Sequence, residues 1–90
     1  MKYRAPKSLM IEKMDNEEYI VFNTELGTFA CVNETARRIL GKITTGSKTV
    51  AEIVDDMERE YDIEKAELEK DVESVVEQMY EKGFIAKDRE

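Results

Sequence analysis

The chain of 90 residues carries 14 basic and 21 acidic side chains, no histidine, no tryptophan and one cysteine. This composition excludes histidine-based acid–base catalysis, zinc sites built from cysteine and histidine, and a disulfide within the chain. Residues 1–49 carry a net charge of about +2 and residues 50–90 about −9, and so acidic a second half argues against binding to nucleic acid.

The N-terminal sequence has no apolar segment of the kind that secretion signals need, and no apolar run approaches the roughly 20 residues that span a bilayer. A single free cysteine suits a reducing compartment, so we expect a cytoplasmic protein without a membrane partner. The length predicts one domain over residues 1–90 with a core at about 9–85. We expect neither a cofactor nor a metal ion.

The first half of the chain predicts three short antiparallel strands. Residues 9–14 and 18–23 are rich in Ile, Val, Tyr and Phe and are separated by an Asp-Asn-Glu sequence that favours a turn. A second turn ends at Gly27, which can take a positive φ, and leads into the third strand, residues 28–32. In such a meander the first and third strands are the edges.

Three amphipathic helices are predicted to follow. The first, residues 33–43, begins at an asparagine that can cap it. Thr49 and Glu52 form a capping box that starts the second helix, and the third runs over residues 64–82 until Gly83 ends it. The predicted fold class is therefore α+β: a three-stranded antiparallel sheet followed by three helices, of the winged-helix-turn-helix type.

The third strand is the main candidate for function because nothing guards its edge. Pro6 and Lys13 lie near the first strand, whereas residues 28–32 contain neither Pro nor a charge. An open strand edge beside an apolar helix is a known mode of binding an extended peptide. The candidate peptide-binding residues are Thr28, Phe29, Ala30, Cys31 and Val32 of the strand, with Val72, Val75, Val76 and Met79 of the third helix.

Other interpretations of these residues stay open. Free cysteine is among the most buried residue types, so we expect Cys31 to pack as a small strand residue. The apolar residues of the third helix are either plain core or serve both the core and a groove. The strand edge is alternatively covered by the chain's own tail, or by a second copy in a structural or assembly module.

A helix-turn-helix order also raises the possibility of a DNA-binding regulator. Between Glu64 and Lys82, however, the third helix holds seven acidic and three basic residues, which phosphates would repel. The remaining carboxylates are expected to be solvated surface. Without histidine or a glycine-rich phosphate loop, we expect no enzyme.

Several segments together resemble the PqqD-like family, whose members are also called RiPP recognition elements. They are residues 32–36 with 39–40, the capping-box segment 49–54, and residues 72–79 with 83–85. The similarity extends over nearly the whole chain, and its motifs are capping and core signals in a fixed order.

This resemblance implies a winged-helix peptide-binding domain that acts in the biosynthesis of ribosomally made, post-translationally modified peptides. Such domains bind the leader segment of a precursor peptide as an added strand, here along residues 28–32 and beside the third helix. They present the peptide to a maturation enzyme, often a radical SAM protein. We expect such an adaptor to be non-catalytic and a monomer or weak dimer.

Overall fold

The computed structural model describes residues 1–88 as two small antiparallel sheets and three helices. In chain order the elements are β1 (Lys2–Arg4), β2 (Leu9–Lys13), β3 (Tyr19–Asn23), β4 (Thr28–Val32), α1 (Glu34–Thr44), β5 (Lys48–Thr49), α2 (Val50–Glu58), α3 (Lys65–Glu81) and β6 (Ala86–Asp88).

The first sheet is the predicted meander, in the order β2-β3-β4. A short 3-10 turn over Asp15–Glu17 joins β2 to β3, and the turn before β4 contains Gly27 at φ 72°. The register pairs Ile11 with Val21 and Val21 with Ala30, so these side chains share the face that packs on the helices. The three strands and their order are confirmed.

The second sheet, in the order β5-β1-β6, was not predicted. Its strands have only two or three residues each and contain mostly charged side chains, so they show no alternating pattern. The paired residues are far apart in the sequence, since Lys2 pairs with both Thr49 and Asp88. The charged tail, through Asp88, therefore pairs with β1, and it does not cover the edge of β4.

Local capping signals set the helix starts as predicted. The Asn33 side chain accepts a hydrogen bond from the amide of Ala36 over 2.9 Å. Thr49 Oγ1 accepts from the Glu52 amide over 3.1 Å, and Glu52 Oε1 accepts from the Thr49 amide over 3.0 Å. Hydrogen bonding of the Glu52 carboxylate, first with the Thr49 backbone amide and then with the Thr49 side chain, holds the pKa of Glu52 below its ordinary value. None of the helices in residues 1–88 is both long and apolar enough to cross a membrane.

The core lies between the inner face of the β2-β3-β4 sheet and the three helices. Phe84, just after α3, is fully buried, and its neighbour Ile85 is 3% exposed, so both residues are part of this core. The other buried apolar side chains are Tyr3, Tyr19, Val21, Val32, Ala36, Ile39, Leu40, Ile43, Ile53, Val54, Met57, Leu68, Val72, Val76 and Met79.

Gly83 ends α3 as predicted, with φ 82°, and the Phe84 amide donates to the Met79 carbonyl over 2.9 Å. A Cβ at Gly83 would lie 2.7 Å from Leu26 Cδ1. We expect Gly83→Ala to lower the free energy of unfolding by about 1–2 kcal/mol in urea denaturation, because an L-residue is strained at this φ.

The matched control is Gly41→Ala in α1, where a Cβ would meet only Arg37 Nη1 at 3.9 Å. That change should be neutral or should raise stability by about 0.5–1 kcal/mol, because alanine favours helix more than glycine does. Adding Leu26→Ala to Gly83→Ala should recover the steric part of the loss. Equal stabilities of the two glycine variants would contradict this interpretation of the helix end.

Candidate functional site

Backbone hydrogen bonds reveal which polar groups are free at β4. In an antiparallel pair, residues that exchange hydrogen bonds alternate with residues that do not. The Met14 amide donates to the Glu18 carbonyl over 2.7 Å. The Thr24 amide donates to the Ser8 carbonyl over 3.0 Å. Even-numbered residues of β3 therefore bond to β2, and its odd-numbered residues bond to β4.

The register of β3 with β4 determines which residues of β4 bond to β3 and which are left free at the sheet edge. The odd-numbered residues of β3 pair with Thr28, Ala30 and Val32. The amides and carbonyls of Phe29 and Cys31 consequently point away from β3. Within residues 1–88 no strand lies beyond β4, so these groups form an open hydrogen-bonding edge.

The side chains of β4 alternate between two faces. Val32 is buried and Ala30 is half-buried against the core, while Thr28 lies on the same face and is exposed. Phe29 and Cys31 lie on the outer face, and both are exposed. The expectation that Cys31 packs is therefore wrong, because its neighbour Val32 takes the buried position and successive strand residues point to opposite faces.

The four predicted residues of α3 differ in their accessibility. Val72, Val76 and Met79 are 0%, 1% and 3% exposed and belong to the core. Val75 is half-buried and lies at the margin of that core. It also lines a cleft of about 320 Å³, whose other lining residues are Asn33, Thr35, Asp71 and Ser74. The direct role of the nine predicted residues in binding stays a prediction.

This cleft lies where β4 ends, because Asn33 directly follows Val32 and caps α1. Sequence reasoning missed Thr35, Asp71 and Ser74 as lining residues. Asp71 precedes Val75 by four residues and so shares its helix face, a spacing that could have identified it. The contribution of Thr35 depends on how α1 meets α3, which no local pattern encodes.

Asn23 links the sheet to the end of α3. Its side-chain Oδ1 accepts from Ser8 Oγ over 2.9 Å, from the Glu25 amide over 3.1 Å and from the Leu26 amide over 3.2 Å. Its Nδ2 donates to the Gly83 carbonyl over 2.8 Å. Asn23 is 4% exposed, so this satisfied buried amide holds the β3–β4 turn against the end of α3.

The exposed surface of α3 is acidic, as the sequence predicted. Lys65 pairs with Asp55 of α2 over 3.3 Å, and this hydrogen bond raises the pKa of Lys65. Asp71 adds a carboxylate to the cleft itself. The exposed acidic residues of α3 are Glu67, Glu69, Asp71, Glu73, Glu77 and Glu81.

A second cleft, of about 490 Å³, lies between α1 and α2 and is lined by both signs of charge. Lys42 and Arg38 both pair with Glu60, at 3.0 Å and 3.6 Å, and the Lys42 hydrogen bond lowers the pKa of Glu60. Three of its charged side chains are thus paired with one another. Within residues 1–88 no group of three His, Cys, Asp or Glu side chains is placed to hold a metal ion.

Comparison with known proteins identifies the family of this chain. The family model of PqqD, described as coenzyme PQQ synthesis protein D, matches residues 18–85. The chain belongs to the PqqD family. The matched range contains β3, β4, all three helices and the cleft residues, and it confirms the family resemblance. The search of curated proteins gives no match.

Solved structures share the fold of this PqqD-family chain. TbiB1 in complex with the TbiA(beta) leader peptide superposes with a TM-score of 0.78 at 20% identity, covering 97% of this chain and 99% of that chain. A lasso peptide synthetase B1 complexed with the leader peptide gives a TM-score of 0.76 at 20% identity, covering 97% and 100%. These similarities confirm the predicted α+β fold class.

Proposed function

We propose that this PqqD-family protein is a non-catalytic adaptor that binds the leader segment of a ribosomally made precursor peptide. The leader adds a strand along β4 and is presented to a maturation enzyme such as a radical SAM protein. The observation that carries this proposal is the open edge at Phe29 and Cys31, next to a cleft that contains Val75. The two structural neighbours support it, since both are complexes with leader peptides.

Backbone pairing and side-chain pockets have separate roles in this mechanism. Phe29 and Cys31 offer two amides and two carbonyls, and at a net value of about 1 kcal/mol each these bonds contribute about 4 kcal/mol. Ordering a disordered leader costs about 2–5 kcal/mol, so the two terms nearly cancel. Net affinity must therefore come from leader side chains that fill the cleft beside Val75.

The adaptor role without catalysis is supported by the residues of the cleft. Ser74 is the one hydroxyl that α3 brings there, and Thr35 is the one from α1. The chain has no histidine that could act as a base for either. We propose that residues 1–90 act as one domain with its core at about 9–85, since both sheets contribute side chains to one hydrophobic core.

The acidic surface of α3 should favour leaders that carry Lys or Arg beside their apolar residues. We expect the affinity of such a leader to fall about threefold to tenfold between roughly 50 and 500 mM salt, since salt screens exposed charges. Titration calorimetry measures this dependence. A leader with its Lys and Arg residues replaced by Gln should bind with little salt dependence, and salt-independent binding of the unchanged leader would contradict the electrostatic part.

The test of the proposed function is titration calorimetry with synthetic leader segments of the precursor peptides encoded beside the gene. We expect saturable one-to-one binding of one leader, and none of its scrambled version. If no neighbouring leader binds, and sedimentation shows a tight dimer that added leader does not dissociate, β4 is a contact of an assembly module instead.

A further inference from the structure

The outer face of the β2-β3-β4 sheet is a second candidate surface. The register places side chains from the three strands in two rows across this face. One row is Met10, Phe22 and Phe29, and the adjacent row is Glu12, Ile20 and Cys31.

This face is apolar although it is turned away from the core. Phe29 is 70% exposed and Met10 is 49% exposed, and Met14, which follows β2, is 40% exposed. Ile20 and Phe22 are half-buried, but neither is among the apolar residues that pack against the core. The solvent face of an antiparallel sheet is ordinarily polar, so a contiguous apolar row marks an interaction surface.

The apolar rows are bordered by carboxylates. Glu12 lies within the second row, between Met10 and Met14 along the chain. Glu18 lies at the end of the face where its carbonyl bonds to the Met14 amide. Asp15 and Glu17 are in the turn at the same end, and all four acidic residues are exposed. A partner must therefore combine an apolar centre with basic flanks.

We propose that this outer face docks an amphipathic helix of the maturation enzyme, whose apolar stripe is flanked by Lys or Arg. The inference rests on the proposed function, which supplies the enzyme as the partner of a loaded adaptor. The dimensions agree, because a five-residue strand is about 17 Å long and three helical turns are about 16 Å. A helix laid across a sheet is a common way to bury one apolar sheet face.

The charges disfavour two other occupants. A second copy packed face to face would bring the same carboxylates and, from the two rows, no basic side chain to pair with them. An anionic lipid surface would be repelled by the same border. A protein helix with basic flanks pairs with these carboxylates, so we commit to that occupant.

The outer face is also continuous with the proposed leader site. A leader strand beside β4 would extend the sheet, and its alternate side chains would continue the rows that end at Phe29 and Cys31. An enzyme seated on the outer face would lie directly next to the leader. The adaptor would thus bind its two partners on adjoining surfaces, with the backbone edge for one and the sheet face for the other.

The first probe is a three-turn amphipathic helical peptide made only of leucine and lysine, with a leucine–glutamate peptide of the same pattern as control. We expect the leucine–lysine peptide to shift the methyl resonances of Met10 and Met14 saturably in NMR titration. The leucine–glutamate peptide should leave them unchanged. Reversing the charge of the border with Glu12→Lys and Glu18→Lys should reverse this preference, so that the leucine–glutamate peptide binds and the leucine–lysine peptide does not.

Two variants with apolar side chains removed locate the binding surface. The double change Met10→Ser with Met14→Ser should lower the affinity for the leucine–lysine peptide at least fivefold. Leu26→Ser should leave it unchanged, since Leu26 is 61% exposed and lies in the β3–β4 turn outside the face. The purified maturation enzyme encoded beside the precursor gene should bind the unchanged protein and Leu26→Ser equally well. It should bind the double variant more weakly.

Leader affinity is measured on the same variants to separate the two proposals. Met10 and Met14 are two strands away from the open edge, so the double change should alter leader affinity less than twofold. Equal binding of the two peptides, or unchanged binding to the double variant, would overturn the docking surface. So would shifts at Met10 that appear on concentrating the protein alone, which would indicate a second copy. Failure of all leaders to bind would overturn only the proposed function.

Discussion

Replacing Cys31 with proline is expected to lower the affinity for the leader at least tenfold while leaving the protein folded. The amide of Cys31 points to the open edge of β4, so the change removes a donor to the leader and no hydrogen bond to β3. One lost bond accounts for about 0.5–1.5 kcal/mol, and the proline ring also obstructs an approaching strand. Tenfold corresponds to about 1.4 kcal/mol. Titration calorimetry with the cognate leader measures it.

Two control variants isolate the backbone as the cause. Cys31→Ala keeps the amide and should retain nearly full affinity. Lys13→Pro removes an outward amide from β2, the opposite edge of the same sheet, where the Leu9 amide bonds to Pro6 rather than to β3. It should leave leader binding unchanged. If Lys13→Pro weakens binding and Cys31→Pro does not, the leader adds to β2, and the assignment of β4 is contradicted.

The second large effect is expected for Asn23→Ala, which should lower the free energy of unfolding by about 2–4 kcal/mol. The change removes four hydrogen bonds and leaves the Gly83 carbonyl without its side-chain donor. Urea denaturation measures the loss. Because Asn23 holds the β3–β4 turn to the end of α3, leader affinity should fall as well, even under conditions in which the variant is fully folded.

Ser8→Ala is the graded control for Asn23. It removes only the bond from Ser8 Oγ to Asn23 Oδ1, so we expect a loss of about 0.5–1 kcal/mol and unchanged leader affinity. A loss for Asn23→Ala no larger than that for Ser8→Ala would show that the amide does not hold the sheet to the helix.

Local sequence signals account for what could be predicted of the fold. Alternating residues and a turn glycine identify the three strands, and the caps at Asn33 and Thr49 set the starts of α1 and α2. The sheet formed by β5, β1 and β6 lacks such signals. Its pairing of Lys2 with Asp88 joins the two ends of the chain and depends on the tertiary fold.

The candidate site was predictable only in part. The absence of guarding residues identified β4, but the free groups of Phe29 and Cys31 follow from the register of two strand pairs. Helical periodicity found the stripe on α3 but could not tell Val75, at the cleft, from Val72 in the core. That distinction depends on how α1 meets α3. Asn23 was missed because asparagine at a strand end is also an ordinary turn residue.

Amide hydrogen exchange by NMR, with and without the cognate leader, tests the central claim most directly. We predict that the leader protects the amides of Phe29 and Cys31 at least tenfold and leaves those of Ile11 and Lys13 unchanged. The first two point to the open edge of β4, whereas the others point to the open edge of β2. Saturating leader that protects Ile11 and Lys13 instead, or protects none of the four amides, would contradict strand addition to β4.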